Sequence, residues 1–277
     1  MHTHSTASDG TLSPALLAKT AFEEGLSAVA LSDHDTIAGL PEFTYAAESF
    51  NIEPIPAIEI STNYTSEIHI LGYYVDYNSP KFTAITDALK EHRRKRSAKM
   101  SLLLSLNGVP VSVSEAESFA TSDVCGRLHF AKAMLKKGYV KSIDEAFDKY
   151  LASGRCAYSA AHLYTPLEAV KVLRSTGAYP VLAHPKLMRM SYDDTVRVIK
   201  ELKDAGLYGV ECMHSTHDTS YESFITEVTK AHSLKVTGGS DFHGENKPDV
   251  HIGKVYGGKP IPGALLTSFI EGMSTKN

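Results

Sequence analysis

Two pairs of residues spaced two apart, and several single imidazoles and carboxylates, carry the chemistry this sequence can do. His2 and His4 stand at i and i+2 in HTH, and Asp9 follows shortly after. Asp241 and His243 repeat that spacing in SDFH. Between the pairs come His34 (in SDHD), Glu59, His69 and His184. In an extended strand, residues i and i+2 project from one face, so each pair can present two ligand atoms side by side. Imidazole mixed with carboxylate suits zinc, iron or manganese rather than the all-oxygen shells of calcium or magnesium. Six imidazoles and three carboxylates are too many for one ion. They suit two or three divalent transition-metal ions sharing a bridging carboxylate. Any one of these histidines alone reads as an ordinary polar residue at a strand end. Gathering all nine without a cation is what would be costly.

The elements that must position them alternate strand with helix. Ser13-Pro14 caps a helix that Gly25 closes, and 27–32 reads as a short buried strand. A helix over 41–50 follows, then strands over 53–60 and 68–75. From 82 to 106 the pattern suits one long helix carrying the basic run Arg93-Arg94-Lys95-Arg96. Segments 126–137 and 142–151 suggest further short helices with no strand between them. Alternation returns with a helix from Thr165-Pro166 to Gly177, strands over 178–183, 207–213 and 234–237, and helices over 192–205, 221–232 and 262–271. Repeated βα units predict a parallel sheet with helices outside. At 277 residues the expected form is a closed or nearly closed barrel, with a doubly wound open sheet as the second candidate. Nearly every one of the nine residues then falls at or just past a strand's C-terminal end, the rim where such barrels gather active-site groups. The expected division is a barrel from 1–86 and 160–277, with a helical insert at 87–159 covering the rim.

Composition narrows the partners. The chain is 43% hydrophobic and 22% charged, with net charge −4, which excludes a disordered chain, a coiled coil and a general basic footprint. Stable duplex nucleic-acid binding is not expected. No apolar run approaches the about 20 residues a membrane span needs, and no signal peptide is visible. Cys125, Cys156 and Cys212 are too few and scattered for a disulfide framework and read as reduced thiols, so a cytoplasmic location is expected.

At these same residues the sequence closely resembles the PHP (polymerase and histidinol phosphatase) family. The likeness rests on HTHSTASDGT at 2–11, LSDHDT at 31–36, Ala57-Ile58-Glu59-Ile60, His69 ahead of Leu71-Gly72-Tyr73, LAHP at 182–185 and GGSDFHG at 238–244. It resembles in particular a branch with an inserted helical domain carrying Gly-Arg-x-His-x-Ala, here Gly126 to Ala131. The resemblance implies a distorted (β/α)7 TIM-like barrel with a trinuclear site. His2, His4, Glu59 and Asp241 would hold one ion. Glu59, His69 and His184 would hold the second, and Asp9, His34 and His243 the third. It implies hydrolysis of nucleotide phosphate esters, of 3′,5′-nucleoside bisphosphates or short RNA, by a hydroxide generated between ions. Glu59 and Asp241 would be central to that catalysis. Family members usually carry several residues before the first HxH; here only Met1 precedes it, so a truncated first strand or a misassigned start is expected.

Other residues have narrower expected roles. Arg127 and His129 are candidates for substrate contact, but in a helix they diverge by about 200° and do not easily face one ligand. His217 is a candidate for binding phosphate or protonating the leaving oxygen. Asp33 and Asp35, flanking His34, either orient a ligand imidazole or cap the next helix. The Arg93–Arg96 run is expected to be a solvated helix face. Three other classes fit less well: a small-metabolite phosphatase such as a histidinol-phosphate hydrolase, an amidohydrolase-type hydrolase, and a non-catalytic metal-binding module.

Overall fold

The computed structural model describes residues 1–277 other than 63, 65, 67, 121–124, 160–162 and 275–277. Among these, six strands form one sheet in chain order: β1 (Ala28–Leu31), β2 (Glu53–Ser61), β3 (His69–Tyr73), β4 (Tyr179–Leu182), β5 (Gly209–His214) and β6 (Lys235–Gly239). The helices are α1 (Pro14–Glu23), α2 (Leu40–Ser49), α3 (Pro80–Leu106), α4 (Val113–Glu117), α5 (Arg127–Lys136), α6 (Ile143–Ala146), α7 (Pro166–Ser175), α8 (Tyr192–Asp204), α9 (Thr219–Ala231) and α10 (Ala264–Ser274). Ser13 and Thr165 start α1 and α7 as expected, each hydroxyl accepting the backbone N–H three residues on. No helix among the described residues is long and apolar enough to cross a membrane.

One expectation fails. The pairs β1–β2, β4–β5 and β5–β6 are parallel, but β3 runs antiparallel to both β2 and β4. The link from β2 to β3 spans only residues 62–68. A parallel crossover needs a dozen or more residues, so this link can only return the chain as a hairpin. The reversal places His69, the first residue of β3, at the end of the sheet where the other strands finish.

The leading segment closes on both sheet edges at that same end. Thr3 forms a parallel bridge with Phe242, past β6. His4 donates its backbone N–H to Phe242 (2.9 Å), and Ser32, past β1, donates to the Thr3 carbonyl (3.0 Å). This short stretch pairs like a strand. The fold is α/β, with a curled six-stranded sheet and helices packed outside.

Alternation along the strands sorts the core into two faces. Val29, Leu31, Ile58, Ile60, Ile70, Leu182 and Val210 join the helix-side cluster. Ala30, Ile55, Ala57, Leu71, Tyr73, Val181 and Ala183 line the inner face with Phe269 of α10. The Phe269 ring lies 4.8 Å from that of Tyr208 and 5.7 Å from that of Tyr73, an aromatic floor under the sheet. A third cluster, from Met100 to Ala157, belongs to the helical region between β3 and β4. α3 is continuous across both bodies: Phe82 and Leu89 pack in the helix-side core, Met100 and Leu104 in the insert's. The expected boundary at 86/87 therefore falls inside a helix, and the one at 159/160 abuts residues outside those described.

β5 and β6 approach closely at Gly209, where a β-carbon would stand 2.6 Å from the Lys235 carbonyl oxygen. Gly209→Ala is expected to destabilise the fold by about 1–3 kcal/mol, lowering the melting temperature by about 2–10 °C. An unchanged thermal melt would show that the strands separate freely there.

Candidate metal centre

Glu59 is the hub of the site. It projects from the inner face of β2, two residues beyond Ala57 and four beyond Ile55, and is fully buried. Its Oε1 lies 2.8 Å from His184 Nε2 and 2.9 Å from His69 Nδ1. Its Oε2 lies 3.0 Å from His34 Nδ1, 3.2 Å from His4 Nε2 and 3.3 Å from His2 Nε2. Asp241 Oδ1 adds approaches of 3.2 Å to His4 Nε2 and 3.5 Å to His2 Nε2 and His243 Nδ1. Asp9 stands on the far side of His4, 3.4 Å from His243 Nε2 and 3.9 Å from His34 Nε2.

Thus all nine sequence-predicted groups meet at one end of the sheet. Three overlapping sets have ligand atoms within 4.8 Å of one another: His2, His4, Glu59 and Asp241; His4, Asp9, His34 and His243; and His34, Glu59 and His69. His184 lies outside these sets but shares Glu59 Oε1 with His69. The donor set fits cations. Glu59 Oε2 and His34 Nδ1 face each other, buried, with no hydrogen bond satisfying either. An unmet buried acceptor is costly, and a shared metal ion is the partner this chemistry suits.

A second layer orients these groups, and the sequence reading missed most of it. Glu211, buried in β5, accepts His2 Nδ1–H at 3.1 Å and the His184 backbone N–H at 2.8 Å. That bond points His2 Nε2 at Glu59 and Asp241. Gly239 makes the room, since a β-carbon there would meet Glu211 Oε1 at 2.1 Å. The overlooked signal was a lone glutamate inside the apolar strand VECM. His214 accepts the Thr216 backbone N–H at Nδ1, so Nε2 carries its proton toward Asp241 Oδ2, 3.7 Å away. Lys247 Nζ holds the same oxygen at 2.5 Å, leaving Oδ1 to face the histidines. Asp33 does not cap α2, and acts beside His4 instead. It accepts the Ser5 N–H (2.8 Å) and the Ser5 and Ser8 hydroxyls (2.6 Å each), fixing the turn after His4. Asp35, His184 and Asp241 all have positive φ, at 56°, 27° and 57°. Such non-glycine strain, of order 1–3 kcal/mol each, persists where surrounding contacts over-determine it.

The cluster opens into a cleft of about 450 Å³, counted to its open mouth. Asp9, His34 and His69 line it from the sheet side, and Arg93, Arg96, Arg127 and Phe147 from the insert side. This corrects the reading of the basic run. Arg94 and Lys95 are exposed, but Arg93 and Arg96, three apart and so on one helix face, are buried. Arg93 donates to Asp35 Oδ2 at 2.5 Å, while burial and the neighbouring Arg93 and Arg127 cations draw Arg96 down to about 9. Arg127 sits 5.7 Å from the ring centres of both Phe147 and Tyr158. His129, on the same helix, is folded back and accepts the Gly126 N–H at 3.0 Å, so the two diverge as expected for helical neighbours. His217 is fully buried behind His214, its Nδ1 bonded to the Cys212 carbonyl (2.7 Å), and does not line the cleft. Burial first, then His214, pulls it down to about 4 and keeps it neutral, so it is not placed to deliver a proton there.

The PHP domain family matches residues 1–213, and the chain belongs to that family. It is 34% identical to a 5′-3′ exoribonuclease of Haemophilus influenzae, over 88% of this chain and 89% of that one. It is 30% identical to a 3′,5′-nucleoside bisphosphate phosphatase of Chromobacterium violaceum, over 90% and 89%. A solved structure from Bifidobacterium adolescentis, described as a metal-dependent phosphoesterase, superposes with a TM-score of 0.82 at 25% identity, covering 97% of this chain and 94% of that one.

The charges of the metal-free cluster set a pH test. Burial opposes protonation of His4, but Asp241 and Glu59 outweigh it and raise its pKa from 6.5 to about 9. A raised folded pKa contributes stability that is full below about pH 6.5 and lost as pH rises through about 9. The chelator-treated protein should therefore melt at a lower temperature at pH 9 than at pH 6.5. Divalent-ion affinity should move the opposite way over that interval, because binding must displace the proton. Melting with and without manganese reads both; parallel trends would refute the assignment of His4 as a ligand.

Proposed function

We propose that this chain is a metal-dependent hydrolase of nucleotide phosphate esters, acting on 3′,5′-nucleoside bisphosphates or the ends of short RNA. One observation carries this reading: the carboxylate–imidazole cluster opens directly into a cleft whose opposite wall holds Arg93, Arg96 and Arg127. A substrate with two phosphates, one at each wall, matches that polarity. The two relatives named above act on such molecules by name, which supports the same class.

In this reading the sheet and the leading segment together are a distorted (β/α)7 barrel, and residues 87–159 are an insert covering its rim. His2, His4, Glu59 and Asp241 would hold one ion, Glu59, His69 and His184 a second, and Asp9, His34 and His243 a third, each manganese, iron or zinc. Such ions supply a hydroxide nucleophile near neutral pH and offset charge on the phosphoryl oxygens. The protein's own groups do the rest. Glu211 fixes the tautomer of His2 and the backbone at His184. Lys247 holds Asp241 from behind, with the His214 ring beside the same oxygen. Arg127 takes the second phosphate as a planar fork, with the Arg93 and Arg96 cations behind it, and Phe147 and Tyr158 stack on Arg127 and limit its rotation.

Two measurements test this. Arg127→Ala should raise KM for a 3′,5′-bisphosphate about 10- to 150-fold, the worth of one or two charge-assisted hydrogen bonds, and leave kcat on a singly phosphorylated aryl ester unchanged. Equal losses on both substrates would deny the second-phosphate wall. Asp241→Ala should abolish turnover and lower bound metal by elemental analysis. A panel of nucleotides, short RNA, histidinol phosphate and amides separates the competing classes, and ammonia release without phosphate release would overturn the phosphoesterase reading.

A further inference from the structure

A polar link outside the ligand cluster joins the helical insert to it. Residues Gly244–Asn246 form a short turn just past His243. Within it, the Asn246 side chain is used at both ends: Nδ2–H donates to the Asp9 carbonyl at 2.7 Å, and Oδ1 accepts from Lys132 Nζ at 2.9 Å. Lys132 belongs to α5, the helix whose first residue is Arg127. Asp9 belongs to the loop that follows the HxH pair. The flanking residues bind the same loop and the opposite edge of the site: Glu245 donates its N–H to Thr11 Oγ1 (2.9 Å), and Lys247 holds Asp241. Asn246 is half-buried, so neither bond is loose in solvent.

We infer that Asn246 is a positioning residue that couples the insert to the Asp9 side of the metal site, setting the distance between the arginine wall and the ions. This rests on the metal-dependent reading above. One half of the amide fixes the backbone that carries the Asp9 carboxylate. The other half stays α5, and with it the height of Arg127 over the cleft. An asparagine suits the role because it offers a donor and an acceptor on one short planar group. An aspartate there could still accept from Lys132 but would turn a second oxygen on the Asp9 carbonyl.

The two halves separate by substitution. Asn246→Asp keeps the lysine contact and loses the Asp9 bond. It should weaken the affinity for one bound ion about 10- to 100-fold, measured by calorimetric manganese titration of the substrate-free protein. Lys132→Met keeps the Asp9 bond and loses the insert stay. It should bind ions as the wild type does, but raise KM for a 3′,5′-bisphosphate about 3- to 10-fold at unchanged kcat. Both side chains are only half-buried, and both variants should melt within about 2 °C of wild type. The inference is overturned if Asn246→Asp titrates like wild type, if Lys132→Met leaves KM unmoved, or if either variant only melts lower. The ion titration needs no substrate, so its failure is distinct from failure of the nucleotide reading. That second failure would appear as a wild-type chain that loads with ions yet releases no phosphate.

Discussion

A buried carboxylate with five imidazoles against it is the constraint on which this molecule is built. Glu59 has no access to water, and each of its oxygens faces at least two histidine nitrogens. Isolated, a charge in such a place would cost far more than any single contact returns. Surrounded, it becomes the point around which cations or protons must assemble. Protons can take that part: burial opposes it at His2 and His4 but the neighbouring carboxylates outweigh burial and raise both, whereas burial draws His34, His184 and His243 down. Protons and metal ions therefore compete for the same lone pairs, and the fold has to tolerate both fillings.

That tolerance comes from the sheet. Strand alternation puts Glu59 on the inner face, and a slip of one residue in β2 would turn it outward into the helix-side apolar core while bringing Ile58 and Ile60 inward. The floor below it is apolar and aromatic, from Tyr73 to Phe269, so water does not reach the carboxylate from that side. Above it the second layer is polar and closely bonded. Glu211, Asp33 and Lys247 each fix one of the clustered side chains or the backbone beside it. The positive φ at His184 and Asp241 is the strain that this bonding holds in place.

The clustered imidazoles and carboxylates were legible in the sequence because they stand at strand ends, and strand ends are visible as the stop of an apolar run. His2 with His4, Asp241 with His243, and Glu59 could be placed from pattern alone. The second layer was less legible. Glu211 was recognisable only as a charge in a buried strand, and its partner His2 is 209 positions away. The direction of β3 was missed because periodicity is blind to polarity; the short 62–68 link was the signal that settles it. The basic run was misjudged because four consecutive charges on a helix point in different directions. Which of them is buried depends on what packs against the helix, here Asp35 and Ser61 against Arg93, and the sequence does not state that.

The reversed strand also explains why so long a helix follows it. β3 starts at the ligand end of the sheet and runs away from it, so the chain leaves β3 at the floor. Lys81, near the start of α3, bonds the Ser175 carbonyl at the end of α7, just before β4 begins. At about 1.5 Å per residue, the 13 residues from Pro80 to Arg93 climb about 20 Å. Five residues of strand measure about 17 Å. Arg93 thus arrives level with the ligand cluster, where it meets Asp35 and Ser61, and Arg96 stands one turn higher. The remainder of α3 then overshoots the sheet and becomes the first wall of the insert's separate core. One hairpin therefore delivers two things at the rim: His69 to Glu59 and, by forcing the long climb back, the arginines that face the cluster.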